Sequence, residues 1–173
     1  SSAEQGRFHQ LAACFPRREH WRLYGTCRSG AGYLDIETTG ASPQEGEVTV
    51  VGLHHHGHTL SLVRGETLTA ERLQTELDHC DILVTFFGSR FDIPYLCAKF
   101  PGLRLPPWHF DLCFAARRLA LQGGLKHIEQ TLGIERGESI RGLDGWDAVR
   151  LWAQWGHGDV AARDRLLAYN RAD

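Results

Sequence analysis

The chain has 173 residues, of which 42% are hydrophobic and 23% charged, and a formal net charge of −2. That length builds one domain with a proper core, and the composition is that of an ordinary globular chain rather than a disordered or fibrous one. The near-balanced charge gives no global attraction to a polyanion, so any contact with nucleic acid must be local and helped by metal.

No apolar stretch reaches the length of a membrane span, and the opening SSAEQGRFHQ is too polar for a signal peptide. Five cysteines, Cys14, Cys27, Cys80, Cys97 and Cys113, show no C-x-x-C spacing. They argue against a disulfide framework or structural zinc site and fit a reducing cytoplasm. Methionine is absent, initiator included, so the sequence reads as trimmed and neither end is taken as a natural terminus.

Residues 1–31 form a helical and basic lead-in, with a short helical candidate from Gly6 to Phe15 followed by the turn-rich PRREHWRLYGTCRSG. There Arg17, Arg18, Arg22 and Arg28 offer either a phosphate-facing patch or a solvated approach anchored by Trp21 and Tyr24. Residues 32–173 form the globular unit, whose first strand, 32–37, enters YLDIETTG (33–40). VTVVGLHH (48–55) and HTLSLVRG (58–65), joined by His56 and Gly57, predict an antiparallel hairpin. TAERLQTELDHC (69–80) sets Leu73 and Leu77 at helical spacing, with Thr69 as cap and Glu71 in the first turn. ILVTFF (82–87) reads as a central parallel strand covered on both sides. A helix from near Phe91 to before Pro101 follows, then a short strand in WHFDLC (108–113) and helices around 113–121, 124–132, 144–155 and 159–173. This order predicts an α/β fold with a mixed central sheet of about five strands flanked by helices.

Period-two alternation puts Asp35 and Glu37 on one face of the first strand and Leu34 and Ile36 on the other. Carboxylates that close raise each other's pKa and cost folding energy unless a cation neutralises them, and hard oxygen ligands suit Mg2+ or Mn2+. A strand end whose acids simply face water gives the same D-x-E. FFGSRFDIPYL (86–96) places Asp92 at a helix start just after a parallel strand, where ligands gather beyond the carboxyl ends of a sheet. With Pro94 two residues on, the same position suits an ordinary N-cap. In the last helix Tyr169 and Asp173 are four apart and share a face. A phenol beside a metal-binding carboxylate can hold an attacking water in line.

Lys126, after Gly123 and Gly124, is either a phosphate contact or a surface lysine paired with Glu129. Leu125, Ile128, Leu132 and Ile134 read as the buried side of its helix, and Arg90 as a phosphate contact on the site's rim. Asp111 in HFDL is a fifth acid or, preferably, a brace; Asp159 and Asp164 face solvent or cap a helix. His54, His55, His56 and His58 read as an incidental hairpin tip rather than a zinc site, and Trp146, Trp152 and Trp155 as core or helix-packing residues.

The succession D-x-E, F-D, Y-x-x-x-D in one small α/β domain resembles the DEDD exonucleases of the ribonuclease H-like superfamily, in their tyrosine-containing DEDDy branch. Motif by motif the chain is most similar to the YprB-type ribonuclease H-like domain, through WRLYGT (21–26), YLDIETTG (33–40), VTVVGL (48–53), ILVTFFGSRFDIPYL (82–96), HFDL (109–112), GGLKHIEQTLGIER (123–136), GLDGWDAVRLW (142–152) and LLAYNRAD (166–173). The resemblance implies a metal-dependent 3'-5' exonuclease hydrolysing phosphodiester bonds of DNA or RNA, single-stranded or with a 3' end. It implies Asp35, Glu37, Asp92 and Asp173 as ligands of two divalent cations, Mg2+ or Mn2+, with Asp35 bridging and Tyr169 orienting water. A structure-selective endonuclease on the same fold and a non-catalytic nucleic-acid or protein-binding module are the alternatives, and a further domain or partner protein would deliver substrate. The chain departs from the family twice: Phe87 stands where an asparagine often precedes Gly88, and the sequence stops at Asp173, which reads as truncation or disorder.

Overall fold

The structure, a computed structural model, describes residues 14–173. All but the last two residues of the helical candidate expected at 6–15 lie outside them. Five strands, β1 (Ala31–Thr38), β2 (Val48–His55), β3 (His58–Val63), β4 (Ile82–Thr85) and β5 (Trp108–Asp111), form one sheet in the order β3-β2-β1-β4-β5. β1–β2 and β2–β3 are antiparallel, whereas β1–β4 and β4–β5 are parallel, so the sheet is mixed as the element order predicts. His56 and Gly57 both take positive φ, 47° and 78°, the mirror-image turn that matches the twist of a two-residue hairpin.

Seven α-helices are assigned among the described residues: α1 (Tyr24–Cys27), α2 (Ala70–Leu77), α3 (Asp92–Lys99), α4 (Leu112–Arg118), α5 (Leu125–Thr131), α6 (Gly145–Gly156) and α7 (Val160–Ala172). Each sequence-predicted helix in this region has its counterpart, with ends shifted by a few residues. Thr69 caps α2 through Arg72 N, Asp144 and Asp147 close a capping box on α6, and Asp159 caps α7 through Ala162 N. No helix among the described residues is long and apolar enough to cross a membrane.

The two faces of β1 separate core from site. Leu34 and Ile36 pack with Leu73 and Leu77 of α2 and Tyr95 and Leu96 of α3. On the opposite face Val50 and Val63 meet Ala148 and Leu151 of α6 and Leu166 and Tyr169 of α7. The basic lead-in covers the remainder of that second face, setting Cys27 with Ile82, Val84 and Trp108. α5 departs from its expected burial: Ile128 is buried, but Leu132 and Ile134 are 56% and 54% exposed because the chain leaves the helix after Thr131.

β4 pairs with β1 only as far as Tyr33, so the C-terminal half of β1 has no neighbour on that side. The gap lies beyond the carboxyl ends of two parallel strands, where α/β sheets gather ligands.

Candidate active site

Asp35 and Glu37 project from the stretch of β1 that β4 leaves open, on the α6/α7 face. Asp173, the C-terminal cap of α7, meets them there: ligand oxygens of Asp35, Glu37 and Asp173 all lie within 4.8 Å of one another. No second group of three or more His, Cys, Asp or Glu side chains among the described residues is placed to hold a metal, which leaves the histidine cluster without zinc geometry. His55 is buried against Glu76 at 3.0 Å, so it is an internal hydrogen-bond partner rather than part of an exposed tip.

Asp92 approaches from the other layer. It is the first residue of α3, not its cap, a place held by Phe91. Its Oδ1 accepts from Ile36 N at 3.1 Å, a backbone donor that β4 would have satisfied had it run further. Asp92 thereby lines the same cavity of about 450 Å³ as Asp35, Glu37, Tyr169 and Asp173.

Asn170, which the sequence reading missed, sets the floor. It is 2% exposed and donates through Nδ2 to Asp35 Oδ2 at 2.9 Å. Gly52 pairs with Asp35 across the sheet, and a Cβ there would fall 2.3 Å from Asn170 Oδ1; a bare backbone is what lets α7 come this close. Beside it Arg136 pairs with Asp173 and also with Glu129, through Nε at 2.7 Å and Nη2 at 2.9 Å. Glu129 is therefore the partner of Arg136, and Lys126 is released from it. Lys126 Nζ instead donates to the Tyr169 hydroxyl at 2.6 Å.

Asp35, Glu37 and Asp92 resist ionisation. Burial, and then the charges of Glu37, Asp92 and Asp173, push Asp35 well above its ordinary value, while the Asn170 bond pulls the other way. Glu37 is pushed up to about 8 by burial and the Asp173 charge, and Asp92 to about 7, mainly by burial, against the two backbone N–H groups it accepts. Tyr169 is raised by burial and by the charges of Asp173 and Glu37. Among the described residues, the cations at Asp35, Glu37, Asp92, Asp173 and Glu129 are Arg136 and Lys126, so the site is short of positive charge. Glu37 Oε1, buried without a hydrogen-bond partner, is one place where that shortage shows.

Asp111 is a brace. It accepts from Phe87 N at 2.8 Å, Ser89 N at 3.0 Å, Ser89 Oγ at 2.6 Å and Cys113 N at 3.1 Å, tying the loop after β4 to the start of α4. That loop carries Phe87 at a positive φ of 65° with its ring 44% exposed on the acid cavity. Trp146 is neither core nor helix packing: it is 63% exposed at the first turn of α6 and lines the same cavity. Trp152 and Trp155 do pack against the α6/α7 core. Arg90 lines a different cavity, on the far side of the loop, with Arg17 and Arg18.

A family model described as the RNase_H superfamily matches residues 32–173. The chain belongs to the RNase H superfamily. Among solved structures, the family B DNA polymerase of the hyperthermophilic archaeon Pyrobaculum calidifontis superposes with a TM-score of 0.63 at 16% identity, over 83% of this chain and 23% of the polymerase. The chain thus spans about a quarter of that protein. Brucella melitensis NrnC bound to pGG superposes with a TM-score of 0.58 at 21% identity, over 87% of this chain and 69% of NrnC. The Aedes aegypti Nibbler EXO domain does so at 0.50 and 13% identity, over 88% of this chain and 91% of that domain. At these identities the likeness is one of fold. No curated protein matches the sequence.

Proposed function

We propose that the protein is a metal-dependent 3'-5' exonuclease of the DEDDy type, hydrolysing phosphodiester bonds of single-stranded DNA or RNA. The observation that carries this reading is the convergence of Asp35, Glu37 and Asp173, from the first strand and the last helix, within 4.8 Å. With Asp92 on the same cavity, these hard oxygen donors fit divalent cations, Mg2+ or Mn2+, and Asp35, Glu37, Asp92 and Asp173 would hold them. When bound, such ions make a water nucleophilic near neutral pH and offset the charge developing on the leaving oxygen.

The chain's own residues supply orientation. Tyr169, whose pKa is raised by burial and by the Asp173 and Glu37 charges, favours its protonated form and so suits orienting the attacking water rather than serving as the base. Lys126 fixes that hydroxyl by donating to it, and its charge also acts on Glu37. The water oxygen bonds to phosphorus as the P–O bond to the neighbouring 3'-oxygen breaks, and the proton it sheds balances the one the freed hydroxyl takes up. Phe87 and Trp146 present exposed rings on which the terminal base stacks. The pGG bound by NrnC, a protein of similar fold, supports a short nucleotide end as the occupant.

The test is incubation with 3'- and 5'-labelled DNA and RNA oligomers in Mn2+, with EDTA as control. Stepwise shortening from the 3' end, abolished by EDTA and by Asp35→Asn, is expected. Wild-type turnover in Asp35→Asn would overturn the proposal, and degradation of a circular single strand would reassign the protein as an internal cutter.

A further inference from the structure

On the far side of the Phe87–Ser89 loop from the acids lies a second cavity, of about 590 Å³, lined by Arg17, Arg18, Arg90, Arg117 and Arg118 with the rings of Trp21 and Phe114. Five of the chain's 19 basic residues are gathered there in a protein of net charge −2, so this is a local concentration and not the average surface. Arg17, Arg90 and Arg117 pair with no carboxylate among the described residues, and Arg18 reaches Glu19 only at 3.9 Å. Glu19 is itself engaged by Arg22 at 2.6 Å. The one acid in the lining, Asp111, has its oxygens turned to Phe87 N, Ser89 N and Cys113 N. The cations are not scattered: Arg118 lies over the Trp21 ring at 5.0 Å and Arg117 over Phe114 at 5.4 Å, while Phe114 stays 40% exposed.

The geometry points to this cavity as a second binding site, for the phosphodiester backbone and bases of a single-stranded nucleic acid. Planar guanidinium groups grip phosphate oxygens two at a time, and exposed rings beside them take unpaired bases; a plain anion site would need only the first. The occupant is further indicated by continuity with the acid cavity. Phe87 and Asp92 line the acid side, Ser89, Arg90 and Ile93 line the basic side, and Asp111 holds the intervening loop in place. A strand whose end lies at the acids passes over this partition into the arginines. The choice of occupant rests on the phosphodiesterase reading of the acids.

Binding of a fluorescein-labelled oligothymidylate about twelve nucleotides long, measured by anisotropy in EDTA across a salt series, tests the inference. The combined variant Arg17→Ala, Arg18→Ala, Arg117→Ala should lower the slope of log affinity against log salt by about 2 and weaken binding about tenfold or more. The same three positions changed to Lys should keep the slope, and Phe114→Ala should weaken binding at unchanged slope. These side chains are exposed, and a melting curve of each variant confirms that it is folded. An unchanged slope in the alanine variant overturns the site, as does capture of an acidic phosphopeptide or anionic vesicles in preference to the oligonucleotide. Wild-type turnover of bis(p-nitrophenyl) phosphate with Mn2+, assayed in parallel, separates the two readings. Turnover with an unchanged slope sinks the basic site alone; a lost slope without turnover supports the basic site and sinks the phosphodiesterase.

Discussion

Arg136 and Asp173 form an ion pair at the edge of the acid cluster, with side chains only 9% and 13% exposed. Burial works against the Arg136 charge, but its bonds to Glu129 and Asp173 override this and hold its pKa above the usual value. Removing one partner of such a pair strands the other charge, at a cost of about 3–5 kcal/mol. Arg136→Met should therefore lower the metal-free melting temperature sharply. Mg2+ or Mn2+ should restore more stability to the variant than it adds to the wild type, because a cation then supplies the missing counter-charge. Melting curves with and without metal check both halves; a variant that melts like wild type in EDTA would mean the pair holds nothing.

The raised carboxyls set a pH dependence whose sign is opposite to that of salt-bridged acids. Glu37 at about 8 and Asp92 at about 7 bind their protons more tightly folded than unfolded. Their contribution is complete below the unfolded values near about 4 and is lost as pH rises through 7 and 8. Metal-free protein should lose stability between about pH 5 and about pH 8.5, and saturating Mg2+ should flatten or reverse the trend. Calorimetric melts over that range decide it, with proton release on metal binding as a second reading.

Much of this was legible in the sequence, for physical reasons that also mark where legibility ends. Strand alternation fixes which face Asp35 and Glu37 share, and Leu34 and Ile36 do occupy the opposite core. Helical spacing likewise puts Tyr169 and Asp173 together. Asn170 was invisible because its partner Asp35 is 135 residues away, and nothing local distinguishes a buried asparagine from a surface one. Its one trace was Gly52, a residue out of place inside a β-strand, where a missing side chain signals close backbone approach. Trp146 was misread because helical spacing tells which residues share a face but not which face is outside. Arg90 was misplaced because the loop reverses between Phe87 and Asp92, sending neighbouring side chains into two different cavities.

Phe87 stores strain that an asparagine in its place would not. A non-glycine side chain at φ 65° is unfavourable by about 1–2 kcal/mol, and asparagine tolerates that region better than phenylalanine. Phe87→Asn should keep or raise the melting temperature by relieving the backbone, while the lost ring weakens the hold on a terminal base. The expected kinetic signature is a raised KM for oligonucleotides with metal affinity unchanged. A fall in stability would show instead that the exposed ring packs in solution against something that compensates the strain.

Gly52 offers the sharpest test of how α7 is seated. A methyl group there would fall 2.3 Å from Asn170 Oδ1 and 3.0 Å from its Cγ, and Asn170 has no room to turn because it is 2% exposed and bonded to Asp35. Gly52→Ala must therefore lift the last turns of α7, which carry Tyr169 and Asp173, and overpacking of this kind costs about 1–3 kcal/mol. Mn2+ affinity, measured by calorimetry, should fall together with stability, because Asp173 leaves the pair on β1. Adding Asn170→Ala should recover the stability by vacating the space. It should not recover full metal binding, since Asp35 then lacks the amide that fixes its carboxylate. If the double variant binds Mn2+ like wild type, Asn170 is packing alone and the orientation of Asp35 is set by the strand.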